Sequence, residues 1–264
     1  MNYPFFIADA FAHAPFAGNP AAVCLLNEQV SPQWMQGLAT ETRLSETAFV
    51  QLGGDSKFGL KWYTPTTEVD LCGHATLASA FVLWKEALVP GDQIIKFDTR
   101  SGLLTARQVS EGISIDFPLI IPSTSAPPSI LGKALGVEML WVGMAGPDIL
   151  VEVESPSLVK EIEPNLSELK NVETRGVIVT AKGDVDGDAD FVSRFFAPRF
   201  GIDEDPVTGS AHCALGPYWA AKLGKERLKG HQLSSRGGEV GIIVGTQNVS
   251  LIGEVVMVMK GALQ

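Results

Sequence analysis

The chain is poor in the residues that would mark it as secreted, membrane-spanning or nucleic-acid-binding. Its 264 residues include only three cysteines, Cys24, Cys72 and Cys213, an odd number without metal-ligand spacing. Such usage is typical of a reducing compartment, and we expect a cytoplasmic protein. Lys and Arg number 20 against 30 Asp and Glu, for a net charge of −10, and no basic cluster occurs. Nucleic acid and anionic membranes are therefore not expected partners.

Other common signals are also missing. The apolar stretches are shorter than the roughly 18–20 residues that a bilayer span needs, and the first residues lack the basic start of a signal peptide. No glycine motif for a dinucleotide or phosphate is present, and no histidine pair has zinc spacing. Residues 184–190 (DVDGDAD) resemble a calcium loop, but Phe195 stands where the closing glutamate belongs, so we expect a solvated hairpin turn. The sequence therefore predicts no cofactor and no metal.

The composition that is present favours a folded protein rich in strands. Hydrophobic residues make up 45% of the chain, with 27 glycines and 16 prolines, which allows a large core and many turns. Apolar runs and alternation predict strands with short helices between them. Residues 118–128 (PLIIPSTSAPP) have the composition of a linker. We therefore expect an N-terminal lobe at 1–117 and a C-terminal lobe at 129–264, whose last strand at 254–259 either stays there or returns to the first lobe.

Two predicted helices, at 73–88 and 209–222, are apolar on nearly all faces. A helix without a polar stripe has to be surrounded, and a curved sheet around each helix is the simplest arrangement. Each helix follows an aromatic pair, a proline and an acidic turn: Trp62–Pro65 precedes the first, and Phe195–Pro198 precedes the second. We interpret this as a duplicated α+β domain.

In a protein of two similar lobes, the cleft between them is the expected ligand site. Gly73 and Gly209 begin the two apolar helices. A residue without Cβ lets a ligand approach the free backbone N–H groups, where the helix dipole adds partial positive charge. If both helix starts face the cleft, together they form a two-sided binding site for a carboxylate. The alternative is that each glycine only permits close packing at a helix start.

Three ionisable residues stand at positions suited to acid/base chemistry. Glu46 directly precedes an apolar strand, where burial disfavours the charged carboxylate and makes it a better general base. The alternative is an exposed glutamate at a strand edge. His74 and Asp205 are possible partners beside the helix-opening glycines, or else a capping residue and a turn residue. Cys72 stands at a helix start, where the dipole favours a thiolate, but Thr208 occupies the matching position in the second half.

Seven sequence blocks, spread over nearly the whole chain, form a recognisable set. They are Asp9-Ala10-Phe11, Phe16–Val23, Ser45–Phe49, Trp62–Pro65, Glu68–Thr76, Asp190–Pro198 and Glu204–Ala211. In these blocks and in their order, the sequence resembles the PhzF-like (phenazine-biosynthesis isomerase-like) family. The resemblance implies a diaminopimelate-epimerase-like α+β fold, in which each of two similar lobes has a mostly antiparallel sheet rolled around a central buried helix. It also implies cofactor-free acid/base chemistry, usually in a homodimer.

The resemblance further implies roles for particular residues. The family glutamate that moves a proton between carbons of a dihydro-hydroxyanthranilate ring matches Glu46. The other positions implied for the site are His74 and Asp205 in catalysis, and Asn19, Gly73, Gly209 and Ser210 in substrate binding. Among these, Gly73 and Gly209 would offer N–H groups to the substrate carboxylate, and Asn19 would lie at the cleft rim.

One departure separates the chain from the epimerases of the wider superfamily. Those enzymes place two cysteines on opposite faces of the substrate α-carbon, whereas this chain has Cys72 and Thr208. Our leading hypothesis is therefore an isomerase acting on a small carboxylate. The alternatives are an amino-acid epimerase or racemase that uses Cys72 and Glu46, and a catalytically silent binding protein with the same fold.

Overall fold

The structure is a computed structural model that describes residues 2–54, 56–184 and 187–264. The chain divides into two compact units. The first consists of the chain up to Phe117 together with Ile252–Gln264, and the second of Pro118–Leu251. The hairpin turn expected at 184–190 includes residues 185 and 186, which lie outside the described residues.

This division corrects the expected linker and decides where the last strand belongs. Residues 118–128 are part of the second unit and not a linker, because Ser123 and Thr124 pair antiparallel with Met144 and Gly143. Of the two alternatives for the last strand, the structure shows its return to the first unit, so the second unit ends at Leu251. This last strand pairs antiparallel with the whole of the first strand, which also pairs with the second strand of the chain. The apolar residues of the first strand therefore have a neighbouring strand on both sides.

The regular elements are short strands and six α-helices among the described residues. The strands are β1 (Tyr3–Ala10), β2 (Asn19–Leu26), β3 (Glu46–Gln51), β4 (Lys57–Tyr63), β5 (Glu68–Val69), β6 (Ile95–Thr99), β7 (Gly102–Val109), β8 (Gly112–Pro118), β9 (Ser123–Thr124), β10 (Trp141–Ala145), β11 (Asp148–Glu152), β12 (Val177–Lys182), β13 (Phe191–Ala197), β14 (Ile202–Asp205), β15 (Arg227–Gln232), β16 (Gly238–Val244), β17 (Asn248–Gly253) and β18 (Val255–Leu263). The helices are α1 (Pro32–Thr42), α2 (Gly73–Lys85), α3 (Leu131–Leu135), α4 (Pro156–Glu161), α5 (Leu166–Leu169) and α6 (Gly209–Leu223), with a 3₁₀ turn at Pro198–Phe200.

In the first unit the strand order is β18-β1-β2-β3-β4-β6-β7-β8. The pairs β2/β3 and β4/β6 are parallel, and the other pairs are antiparallel. Helix α2 packs against β1, β2 and β3. Nearly all its residues are buried, including the polar Thr76 and Ser79, whose hydroxyls donate to the carbonyls of Cys72 and Ala75.

The second unit repeats this pattern. Its strand order is β9-β10-β11-β12-β13-β15-β16, and the pairs β11/β12 and β13/β15 are parallel. Helix α6 packs against β15 and β16 and is buried along most of its length. In the first unit, β2/β3 is parallel, β3/β4 antiparallel and β4/β6 parallel. In the second unit, β11/β12, β12/β13 and β13/β15 follow the same sequence of parallel, antiparallel and parallel pairs. Each of these sheets packs against one apolar helix. This repetition supports the duplication inferred from the sequence.

Helix α2 ends three residues earlier than expected. The sequence predicts a helix to Leu88, but the regular helix stops at Lys85. Ala87 adopts a left-handed conformation with φ of 54°, and the amide of Leu88 donates to the carbonyl of Leu83. This hydrogen bond satisfies a carbonyl of the last turn, as at many helix C-termini, so the apolar run continues past the helix.

Candidate active site

Glu46 and His74 come together at the start of two elements of the first unit. Glu46 is the first residue of β3 and lies opposite Ala21 of the parallel strand β2, while His74 is the second residue of α2. The Glu46 Oε2 atom lies 3.3 Å from His74 Nε2, and the side chains are 15% and 5% exposed. A carboxylate that is mostly buried, yet still reachable, can exchange a proton with a ligand while water is largely kept away.

Burial keeps His74 neutral. It lowers the pKa of the imidazole to about 3, because a charged ring would lose its hydration in this site. The side-chain amide of Asn19 lies 3.2 Å from Nδ1 and donates to it, so Nδ1 is the accepting nitrogen. A neutral ring then carries its proton on Nε2, facing the Glu46 carboxylate.

Asn19 is therefore a buried residue in contact with His74, whereas the family resemblance implies a position at the cleft rim. Its side chain is fully buried because it fills the space between His74 and Ser45. The Ser45 hydroxyl donates to Asn19 Oδ1 over 3.3 Å and also lies 3.3 Å from His74 Nε2. Sequence reasoning missed Ser45, although its position directly before Glu46 was the available signal.

Cys72 lies on the other side of the same imidazole. Its Sγ atom is 3.6 Å from His74 Nδ1. Cys72, His74 and Glu46 each offer one ligand atom for a metal ion, and these atoms all lie within 4.8 Å of one another. Sequence spacing did not predict this group of possible metal ligands, because Glu46 is far from Cys72 along the chain. The packing of α2 against β3 brings the two residues together. Cys24 and Cys213 are buried elsewhere, and burial raises the pKa of each thiol to about 12.

Asp205, at the end of β14 in the second unit, is held in a buried polar network. The Thr208 hydroxyl donates to its Oδ2 atom over 2.5 Å. The Gln232 amide donates to the Asp205 carbonyl over 2.7 Å, and Gln232 Oε1 accepts from the Thr208 backbone amide over 2.9 Å. Gln232 and Thr208 thus order the turn that leads into α6. Sequence reasoning did not identify Gln232, which lies on β15.

Ser210, the second residue of α6, contacts an arginine that the sequence analysis also missed. Arg175 Nη2 donates to Ser210 Oγ over 2.9 Å. The same guanidinium binds the Asp148 carboxylate through two hydrogen bonds, one of them 2.8 Å from Nε to Oδ1. Burial raises the pKa of Asp148, and the hydrogen bond from Arg175 opposes that effect. The paired charges therefore hold Ser210 at the start of α6.

The N-termini of α2 and α6 differ from those of α1, α4 and α5, and resemble that of the short helix α3, in lacking a side-chain cap. Ser31, Ser155 and Asn165 cap α1, α4 and α5 with side-chain hydrogen bonds. For α2 and α6, the N-cap residues Cys72 and Thr208 make no such bond to the first turn within the described part of the chain. The first residues of these helices, Gly73 and Gly209, are buried. First-turn amides without a side-chain cap are typical of anion-binding helix starts.

The two units are alike in topology but not in chemistry. In β3, Thr47 pairs with Tyr63, and in β12 the equivalent Val177 pairs with Phe196. The residue preceding each is Glu46 in the first unit and Gly176 in the second. A Cβ at Gly176 would lie 2.2 Å from the Phe195 ring, so no side chain fits there. The predicted Glu46, His74, Asn19 and Gly73 thus belong to the first unit, and Asp205, Gly209 and Ser210 to the second.

Comparison with known proteins identifies the family. The family model described as "Phenazine biosynthesis-like protein" (PhzC-PhzF) matches residues 8–261. The chain belongs to the PhzF family. The uncharacterized isomerase BH0283 of Halalkalibacterium halodurans is 46% identical over 264 residues, which cover 100% of this chain and 99% of that protein. The family membership inferred from the motifs is thereby confirmed, and homologues named as isomerases support isomerase activity without defining the reaction.

Solved structures confirm the fold. A PhzF-family protein from Enterococcus faecalis superposes with a TM-score of 0.94 at 40% identity, covering 100% of both chains. A hydroxyproline epimerase from Agrobacterium vitis superposes with a TM-score of 0.66 at 11% identity, covering 99% of this chain and 93% of the other, and shows a shared fold only. The expected α+β, epimerase-type architecture is confirmed. In the described residues, every helix is too short or too polar to span a membrane.

Proposed function

We propose that this PhzF-family protein is a cofactor-independent isomerase that moves a proton between carbons of a small carboxylate, with Glu46 as general acid and base. The observation that carries the proposal is the Glu46 carboxylate, 3.3 Å from Nε2 of a buried, neutral His74 and still 15% exposed. A neutral imidazole donates a hydrogen bond to the carboxylate without cancelling its charge. Glu46 is thereby oriented and remains able to accept a proton.

Removal of a carbon-bound proton beside a carboxylate produces an enolate-like anion, which donors fixed in advance stabilise best. The uncapped first turn of α2 supplies such donors next to Glu46. We extend the proposal to the first turn of α6, with Ser210 and Asp205, because the family resemblance assigns these residues to the same substrate. The fixed position of the Ser210 hydroxyl against Arg175 supports this part.

The distance between Cys72 and Glu46 favours an isomerase over a two-base racemase. Two bases that act on opposite faces of one carbon each approach it to about 3–3.5 Å, so they lie about 6–7 Å apart. The Cys72 sulfur and a Glu46 oxygen lie within 4.8 Å of each other. They therefore approach a ligand from the same side, and Gly176 offers no second carboxylate at the equivalent position of the other unit.

Proton exchange in D₂O tests the proposal. A panel of dihydro-hydroxyanthranilate, cyclic hydroxy acids and amino acids is incubated with the protein, and deuterium at carbon is followed by NMR. We expect the wild type to label at least one compound and Glu46→Gln to lose that labelling while remaining folded. Glu41→Gln is the matched control, because Glu41 is exposed and lies outside the site. Equal labelling by Glu46→Gln and wild type would overturn the assignment.

A catalytically silent binding protein is the second candidate. It predicts no labelling of any compound, together with ligand binding that is insensitive to Glu46→Gln. The hydrogen-bonded set of Glu46, His74 and Asn19 disfavours it, because burying polar groups in this arrangement costs stability that a scaffold does not need. We also propose a homodimer, from the family resemblance, and a reducing compartment, from the cysteine usage. Light scattering of the purified protein tests the oligomeric state.

A further inference from the structure

The Glu46–Cys72–His74 cluster combines three ligand types that zinc binds. Zinc takes thiolate, imidazole and carboxylate ligands, and sites with three protein ligands keep an open fourth position. Each of these residues presents one ligand atom, and the three atoms lie within 4.8 Å of one another. A tetrahedral zinc ion with bonds of about 2.0–2.3 Å holds its ligands about 3.3–3.6 Å apart. The cluster is therefore close to the size of a zinc site.

Individual contacts agree with this size. Cys72 Sγ lies 3.6 Å from His74 Nδ1, and Glu46 Oε2 lies 3.3 Å from His74 Nε2. One ion binds only one ring nitrogen, so the third ligand has to move inwards from at most 4.8 Å. A rotation of the Glu46 or Cys72 side chain is sufficient for that. Cys72 and His74 are otherwise held by the start of α2, which keeps them in place before an ion arrives.

We propose that Glu46, Cys72 and His74 bind Zn²⁺, and that bound Zn²⁺ inhibits the protein. Metal binding is independent of the proposed isomerase activity, whereas the inhibition rests on it. An ion on the Glu46 carboxylate occupies the oxygen that would accept the substrate proton. The site thus alternates between proton transfer and metal binding, depending on the free zinc concentration.

The electrostatics of the cluster favour a cation. The low exposure of all three side chains strengthens their attraction to the ion.

A second group of possible ligands serves as an internal comparison. Asp188, His231 and Glu239 also place their ligand atoms within 4.8 Å of one another. Here the ammonium group of Lys229 already binds both Asp188 and Glu239, the latter at 2.8 Å. A cation in this position competes with a metal ion, and this second group lacks a thiolate. We therefore expect the Cys72 cluster to bind zinc more tightly.

Cobalt spectroscopy on the reduced, full-length protein tests the proposal without any substrate. Co²⁺ alone should bind one equivalent, with a thiolate-to-cobalt charge-transfer band and the visible bands of a tetrahedral site, and Zn²⁺ should displace it. Cys72→Ser should abolish the charge-transfer band and weaken zinc binding at least about tenfold. Glu46→Gln should also weaken zinc binding, whereas His231→Gln should leave both the band and the affinity unchanged.

The possible outcomes separate the two proposals. A wild-type protein without a charge-transfer band, or a band that survives Cys72→Ser, would overturn the zinc site whatever the activity. Loss of cobalt binding in His231→Gln would assign the metal to the second cluster and overturn it as well. Circular dichroism confirms that each variant is folded, and Cys72→Ala gives a second removal of the thiol. Zinc inhibition is then measured as loss of D₂O exchange, reversed by a chelator.

Discussion

Asn19 Nδ2 lies 3.2 Å from Nδ1 of His74, and this contact determines which nitrogen of the buried imidazole carries the proton. Since the amide donates, the ring proton stays on Nε2, where it faces Glu46 Oε2 at 3.3 Å. Asn19 is thus a positioning residue that acts through His74. Its fully buried side chain does not contact solvent.

Replacing the amide by a carboxylate should reverse this arrangement. Asn19→Asp accepts a hydrogen bond instead of donating one, which moves the ring proton to Nδ1 and removes the donor that faces Glu46. We expect D₂O exchange to fall at least about 100-fold, because wrong tautomers cost enzymes rates of this order or more. The ¹⁵N chemical shifts of the His74 ring should report the change of tautomer. An Asn19→Asp protein with wild-type shifts and reduced exchange would contradict the tautomer account.

The low pKa of His74 predicts how stability depends on pH. The imidazole has a pKa of about 3 in the folded protein and about 6.5 when unfolded, so the unfolded chain binds more protons between these values. The contribution to stability is complete above about pH 6.5 and falls as the pH is lowered towards 3. The loss is about 1.4 kcal/mol for each pH unit well inside that range.

Urea unfolding at several pH values measures this effect. His74→Gln should lose less stability than wild type between pH 6.5 and 4, because glutamine does not titrate. His13→Gln is the control, since His13 is 57% exposed and lies outside the cluster. Parallel stability curves for wild type and His74→Gln would show that the imidazole is not held neutral by burial.

The ion pair between Arg175 and Asp148 should contribute both to the stability of the fold and to the position of the Ser210 hydroxyl. Asp148 is almost completely buried, so Arg175→Ala leaves its carboxylate without its charged partner. We expect a loss of about 2–3 kcal/mol in the free energy of unfolding, less than for a fully buried pair because Arg175 is 36% exposed. Arg175→Lys keeps the charge but not the two-pronged geometry.

Kinetic measurements distinguish the contribution of the Arg175–Asp148 pair to stability from its role in positioning Ser210. Arg175→Lys should remain folded and raise KM more than it lowers kcat, because Ser210 loses its fixed partner and the substrate carboxylate is bound less well. The double variant Arg175→Met with Asp148→Leu should recover stability but not KM. Recovery of both would assign the pair a purely structural role.

The local features of this protein could be predicted from its sequence, and the contacts between distant segments could not. The apolar faces of α2 and α6 predicted two buried helices, and the repeated aromatic–proline–acidic contexts predicted the duplication. The return of β18 to pair with β1 depends on an edge that only the folded first unit provides. No local pattern distinguishes that edge from one in the second unit.

The site shows the same limit. Glu46 and His74 stood out because each lies at an element boundary beside residues that resemble family motifs. The family resemblance implies a position at the cleft rim for Asn19, whereas in the structure its buried amide lies against His74. Arg175 lacked any motif, and its importance follows from a contact with Ser210 that is 35 residues away.

The central claim is that Glu46, and not Cys72, exchanges the substrate proton. The most direct test compares variants of these two residues in the same D₂O exchange assay. If Glu46 is the single acid and base, Glu46→Gln should slow exchange at least about 1,000-fold, whereas Cys72→Ser should stay within about tenfold of wild type. Loss of exchange in Cys72→Ser with retention in Glu46→Gln would contradict the account and make the thiol the base.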